Sequence, residues 1–319
     1  MRRLMAALTL ATLITSFGLA QSWPDRPIHT VVPLSAGSAS DLVARAVMSQ
    51  VSTSLGQTIV IENRPGAGNT IAMAAVARAE PDGYTILANS ATHSLVPVTY
   101  TNLTFDTFRD LTPVIPLGNT PMMMTVLPSK GYKNVADFVA RAKEQNSRIS
   151  YSGGGVGSIP HLATEAFRLA AGFDGVHVPF RGAPEALTEV LAGRIDFYFS
   201  PLPAVLALLK SGQLQALATT GSTRAGAFPD IPTLGEAGYA EATYNFWVGL
   251  FVPSKTPAAI TDRLYSETEK ALQTQVVKER LAALGVDPLP LDRTGFSKLV
   301  QDEFALNTRV MKATGLKFN

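Results

Sequence analysis

Residues 28–45 read IHTVVPLSAGSASDLVAR, and this junction decides the fold. Ile28–Val32 is apolar and β-branched, the composition of a strand. Residues 34–41 are a run of small residues ending in an acid. Apolar residues then recur at Leu42, Val43, Ala46, Val47 and Val51, and Gly56 ends the run; this is the spacing, start and stop of a helix over Asp41–Leu55. A strand, a loop of small residues and a helix point free backbone N–H groups and a helix N-terminus at one spot. That geometry holds an anion without a charged side chain. A second junction repeats the pattern: strand Ile149–Tyr151, loop Ser152-Gly153-Gly154-Gly155-Val156-Gly157-Ser158, helix Pro160–Ala171. Two such loops in different halves of the chain predict a cleft gripped from both sides.

Strands and helices alternate outward from these junctions. Thr58–Ile61, Tyr84–Ala88, Val176–Pro179, Ile195–Phe199 and Leu214–Thr219 read as strands. Ile71–Ala79, Val135–Gln145 (capped by Asn134), Pro184–Leu191 and Pro203–Lys210 read as helices. Thr256-Pro257 supplies a cap and a first-turn proline for a further helix, and a last long helix runs from Thr294 to about Lys312. Helices of about ten residues between strands mean parallel βα units and an α/β class. Two segments break the alternation: Thr112–Leu127, long and uncharged, and Tyr244–Val252, ending in Pro253. They read as extended crossings between two lobes, with a hinge at Thr120–Thr125 and Tyr244–Val248. Residues 21–122 and 246–319 then form one discontinuous lobe and residues 123–245 the other. One continuous sheet with two long strands is the alternative. Met122-Met123-Met124 reads as buried strand.

The 319 residues are 46% hydrophobic and 16% charged, enough for a sizeable core and too apolar for disorder. Arg2 and Arg3, the uncharged stretch Leu4–Leu19 and the small-x-small site Gly18-Leu19-Ala20 read as a signal peptide spanning residues 1–20. A retained membrane anchor is the alternative, although the stretch is short for a span. Without residues 1–20 the chain loses two of its 27 basic residues and no acid, so 25 face 25. No basic field is left to attract nucleic acid. The absence of cysteine excludes disulfides and thiolate chemistry, and an exported chain without disulfides suits a bacterial periplasm. The four histidines are too scattered for a metal site, and no cofactor is expected.

Six segments in order carry a specific resemblance: residues 28–45, ENRPGAGNTIAMAAVARAEPDGYTIL (62–87), YSGGGVGSIPH (151–161), HVPFRGAPEALTEVLAGRIDFYFSPLP (177–203), PDIPTLGEAG (229–238) and WVGLFVPSKTP (247–257). Together they resemble the Bug family, the periplasmic substrate-binding proteins of tripartite tricarboxylate transporters. The resemblance implies a two-lobed, type II-like periplasmic binding protein, each lobe a mostly parallel sheet flanked by helices, with two crossover segments. It implies a monomer that holds a small carboxylate in the interlobe cleft and delivers it to membrane permease subunits. In the family the two small-residue loops, here Ser35–Ser40 and Ser152–Ser158, hold carboxylate through backbone N–H groups and water. The chain departs from the family where Ser38 replaces a second glycine and where Ser200-Pro201 stands in place of Asp-Asn. The missing acid favours a plain mono- or dicarboxylate, or an aromatic acid, over an amino acid.

The expected ligand contacts follow. Ser35, Gly37, Ser38 and Ala39 offer N–H groups and hydroxyls from the first loop; Asp41 is the helix cap. Ser152, Gly155, Gly157 and Ser158 are the counterpart in the second loop, with His161 as a donor in the following turn. Asn89, Ser90 and Thr92, beyond a strand end, face the cleft. Arg181 is the one well-placed cation, Ser200 ends a further strand, and Phe246 and Trp247 supply an apolar wall. An enzyme is the main rival class, but the chain has no nucleophile-elbow or phosphate-loop motif. A ligand sensor for a two-component kinase would use the same cleft.

Overall fold

The computed structural model describes residues 23–144 and 149–314. The expected signal peptide lies outside them. No helix among the described residues is long and apolar enough to cross a membrane. The chain runs β1 (Ile28–Val32), α1 (Ala39–Leu55), β2 (Ile59–Asn63), α2 (Thr70–Ala77), β3 (Thr85–Ser90), α3 (Thr92–Thr99) and β4 (Leu111–Val126). It continues through α4 (Val135–Glu144), β5 (Ile149–Ser152), α5 (Ile159–Ala171), β6 (Gly175–His177), α6 (Ala183–Leu191), β7 (Phe197–Pro201), α7 (Leu202–Lys210) and β8 (Gln215–Thr219). It closes with β9 (Asn245–Pro253), α8 (Ala258–Gln273), α9 (Gln275–Ala283) and α10 (Arg293–Thr314).

The class is α/β, with strands in the order β2-β1-β3-β9-β4 on one side and β8-β4-β7-β5-β6 on the other. The βα units pair in parallel (β1 with β2 and β3, β5 with β6 and β7), whereas every pair made by β4 or β9 is antiparallel. Each sheet is therefore parallel only away from the crossing strands, because β4 and β9 enter without a helical crossover.

β4 belongs to both sheets. It pairs with β9 up to Pro121 opposite Asn245, and with β7 from Met122 opposite Pro201. Its register slips between Pro113 and Ile115 and between Pro116 and Gly118. Proline lacks the ladder N–H, so it is tolerated where the ladder is interrupted. Met122, Met123 and Met124 are all fully buried.

Local chemistry explains the ends of α1: Ser38 accepts from the N–H of Asp41, and Gly56, at φ 66°, closes the helix in the left-handed region. Two helices escape the sequence reading. α3 carries Pro97 and lacks a clean apolar period, and α9 follows α8 after a single residue. The expected Thr256 cap is not made. α8 begins after Pro257, and the Thr256 hydroxyl is buried without a hydrogen-bond partner.

Candidate functional site

The loops after β1 and β5 are built alike. Gly37 and Gly157 sit at φ 81° and 70°, which an L side chain rarely adopts. The next residue, Ser38 or Ser158, is the helix N-cap and accepts from the N–H three residues on, at 3.4 Å in both loops. That third residue bonds back. Asp41 Oδ2 accepts from Gly37 N–H at 2.9 Å, and His161 Nδ1 accepts from Gly157 N–H at 3.2 Å. Ser38 N–H and Ser158 N–H close onto Ser35 and Gly155 carbonyls. The first loop thus spends two of its N–H groups on itself, and the second three, since Gly154 N–H also donates to Ser152 Oγ.

What remains differs. In α1 the N–H groups of Ala39 and Ser40 have no intrahelical partner. In α5 the first three positions are used up: Ile159 N–H donates to Thr92 Oγ1 at 3.2 Å, Pro160 has no N–H, and His161 N–H goes to Ser158. The open donors on that side are the Gly155 and Val156 N–H groups of the loop and the start of α6. Its N-cap Gly182 makes no side-chain cap, so the Ala183 N–H is open.

These groups surround a small space of about 30 Å³ between the sheets. Its lining includes Leu34, Ser38, Ala39, Thr92 and Phe246 from one side and Gly155, Ser158, Ala183, Tyr198 and Pro201 from the other. The volume is room for about one water, so a larger occupant requires the two sides to part. Three hydrogen bonds close the sides over it: Ser35 Oγ to Glu185 Oε1 at 2.7 Å, Ile159 N–H to Thr92, and Tyr100 OH to the Val156 carbonyl at 2.9 Å. Two glycines permit the fit. A Cβ on Gly153 would lie 2.2 Å from His161 Cα, and one on Gly182 would lie 2.9 Å from Ser35 Oγ. An outer chamber at the mouth is lined by Gly66–Asn69, Tyr100, Arg181 and Glu185. A larger apolar hollow of about 670 Å³, between β4, α7 and α9, lies away from these helix ends.

No lining residue of the small space is charged. Burial works against ionisation of Asp41, but Arg45, the Gly37 N–H and Asn63 outweigh it and hold its carboxyl below the usual range. Burial, with His177 alongside, holds His161 well below the usual imidazole range, and burial holds His177 at about 4. The two rings stack at 3.6 Å, both neutral near pH 7. Burial pushes the Tyr198 phenol up, so it stays a neutral hydroxyl facing the space.

Of the expected contacts, Ser38, Ala39, Thr92, Gly155 and Ser158 line the space. The others are placed differently. Ser35 is committed to Glu185 across the cleft, and Gly37 and Gly157 donate to Asp41 and His161. Asn89 lies within β3, held by Asn69, His93 and the Ser90 N–H, and Ser90 accepts from Thr92 N–H. Ser152 caps Gly154 N–H. His161 Nδ1 accepts from Gly157 N–H, and the ring is not among the residues that line the space. Arg181 is exposed at the mouth. Ser200 is fully buried on β7, bonding the Pro201 carbonyl. The sequence reading missed Tyr198 and Glu185, and it placed Arg181-Gly182-Ala183 after a strand and facing the cleft. Gly182-Ala183-Pro184 after β6 is a third strand, small-residue and helix junction.

Two α/β sheets sharing a strand, with helix N-termini converging on a closed cleft, define a solute-binding protein. The chain belongs to the tripartite tricarboxylate transporter receptor family, also called TctC or Bug, a family of periplasmic solute-binding proteins: the profile described as "Tripartite tricarboxylate transporter family receptor" matches residues 43–316. "Protein BugT" of Bordetella pertussis is 32% identical over 331 aligned residues, covering 99% of each chain. The structure of "MatC (Rpa3494) from Rhodopseudomonas palustris with bound malate" is similar at TM-score 0.86 and 29% identity, over 90% of this chain and 99% of that one. "R. palustris Rpa4515 with adipate" is similar at TM-score 0.89 and 29% identity, over 92% and 99%.

Proposed function

We propose that the protein captures a small carboxylate in the periplasm and delivers it to a tripartite tricarboxylate-type membrane permease, without catalysing a reaction. One observation carries the reading: unspent N–H groups of α1 and α6 converge on a space that contains no charged side chain. A carboxylate there gains hydrogen bonds to the positive ends of two helices and meets no lining acid. The Tyr198 and Thr92 hydroxyls orient the rest of the molecule, and Leu34, Pro201 and Phe246 exclude water. Malate and adipate in two family neighbours support a mono- or dicarboxylate of modest size. Residues 1–20 direct export and are removed.

Capture works by closure. Residues 21–122 and 246–319 form one lobe and residues 123–245 the other, turning about Thr120–Thr125 and Tyr244–Val248. The change of β4 partner between Pro121 and Met122 supports a hinge there. The three bonds across the cleft form as it shuts and present a single surface to the permease.

A thermal-shift screen of small carboxylates tests the reading, since a ligand that binds only the folded state raises the melting temperature by mass action. A stabilising acid, confirmed by calorimetry and lost in Ala183→Asp, which places a charge against the anion, supports it. No stabilisation by any acid, or turnover of one, overturns it.

A further inference from the structure

Behind the Phe246 and Thr92 wall lies an acid that the capture mechanism does not use. Glu303, on α10, accepts from Trp247 Nε1 at 2.9 Å through both carboxylate oxygens, and from Ser94 Oγ at 3.1 Å. Trp247 and Ser94 are 1% and 0% exposed. Each sits beside a residue that lines the cleft: Trp247 follows Phe246 on β9, and Ser94 is two residues beyond Thr92 on α3. The backbone joins them too, since Ala91 N–H donates to the Trp247 carbonyl.

We propose that Glu303 is a positioning residue for ligand capture, setting the Phe246 and Thr92 wall through its bonds to Trp247 and Ser94. The role rests on the reading of this cleft as a carboxylate site.

The hydrogen-bond arithmetic at Ser94 makes this a two-state arrangement. Its hydroxyl has one proton and two acceptors within reach, the Ala91 carbonyl at 2.8 Å and Glu303. Asn307 Nδ2 also donates to the same oxygen, at 3.3 Å. With Glu303 ionised, its charge draws the Ser94 proton and leaves the Ala91 carbonyl without it. With Glu303 protonated, the acid can donate to Ser94, and the serine proton returns to Ala91 at the start of α3. Burial pushes the Glu303 carboxyl up to about 7, against the lowering effect of Trp247 and Ser94. Both states are therefore accessible near neutrality.

The segment before β4, which packs on α10 through Phe108 and Phe304, carries Arg109 and Asp110, and these pair with each other. β4 and β9 contain no titratable side chain, and α3 contains only His93. His93 stacks on Phe251 at 3.9 Å and is held neutral by burial, at about 3. On α10 itself, Asp302 pairs outward with Lys298. An ionised Glu303 lies behind the site of an anion, so capture weakens as pH rises through about 7.

Three forms decide it: wild type, Glu303→Gln and Glu303→Ala, each at pH 6 and pH 8. Amide exchange over residues 90–99 and 245–253, read without ligand and corrected for intrinsic rates, changes between the two pH values in wild type. It is constant in Glu303→Gln, which keeps an acceptor but no charge, and is faster at both pH values in Glu303→Ala. Calorimetry with malate and adipate gives wild-type binding roughly fivefold weaker at pH 8 than at pH 6, the scale of one unit charge acting through protein. Glu303→Gln binds equally at both. A Gln variant that keeps the wild-type pH dependence, or an Ala variant with wild-type exchange, overturns the inference. Wild type that binds neither acid but shows the exchange change counts against the carboxylate reading and supports the hold of Glu303 on the wall.

Discussion

The β1–α1 and β5–α5 junctions have the same capping geometry and different consequences. Both place a glycine at positive φ, then a serine N-cap, then a side chain three residues later that reaches back to the glycine N–H. In the first that side chain is an ionised aspartate; in the second it is a neutral histidine. In the first, two helix-start N–H groups stay open. In the second, Thr92, a proline and the serine cap leave none. A glycine-rich sequence is thus no measure of free donors. The count of acceptors already engaged decides how many donors each helix start keeps, and in the function proposed above it makes α6 the helix that faces α1.

The comparison breaks most sharply at its tightest contact. Gly153→Ala forces a Cβ into the α5 backbone and is expected to cost roughly 3 kcal/mol or more in chemical denaturation. Gly37→Ala in the other loop meets only Pro184 Cγ, at an ordinary contact distance of 3.4 Å, and pays mainly for φ, about 1 kcal/mol. Equal costs would show that the two loops are packed alike.

Acid separates the junctions next. His161 and His177 have folded pKa values below the unfolded value of about 6.5, so the unfolded chain binds more protons and stability falls as pH drops below that point. The loss is on the order of 2 to 4 kcal/mol at pH 5 for the stacked pair. Asp41 is depressed from the carboxylate range, so its contribution is complete at pH 5 and fades only below about 4. Amide exchange at pH 5 against pH 7 is therefore expected to loosen β5–α5 while β1–α1 holds. Glu303 runs the other way: its raised pKa favours the fold below about 4.5, and that contribution is lost as pH rises through about 7. Glu303→Gln removes this second slope from the pH profile of stability.

Binding gives smaller effects. Ala39→Pro sits at the first helical position after an extended Ser38 (φ −67°, ψ 160°), which suits proline. It deletes one open N–H and is expected to weaken the best carboxylate of the screen by roughly tenfold or more in calorimetry. Ile159→Pro, its counterpart in α5, deletes only the bond to Thr92 and is expected to cost no more than about threefold, through closure. The reverse order would make α5 the helix that faces α1.

Several features were legible because local chemistry fixes them. β1 and α1 follow from a β-branched run, a helical apolar period and a terminal glycine, although the cap expected at Asp41 is made by Ser38, with Asp41 bonding back to Gly37 N–H. The long extended segments over β4 and β9 follow from uncharged apolar stretches, and the methionine triplet is buried as read. Other features depend on partners far along the chain. Nothing near Ser35 announces Glu185, 150 residues away, and nothing in Ile159 announces Thr92. α3 is hidden by Pro97, and Tyr198 looks like any aromatic residue in a buried strand until β7 ends at the cleft.

The sequence by itself determined the class, the alternation of strand and helix, the family and the two strand–loop–helix junctions, because these rest on composition, periodicity and contacts within four residues. The tertiary structure decided which N–H groups stay free, which strand joins the sheets and which acid lies behind the wall. Those outcomes depend on burial and on hydrogen bonds between distant segments. A backbone donor has no identity in sequence until its acceptor is known.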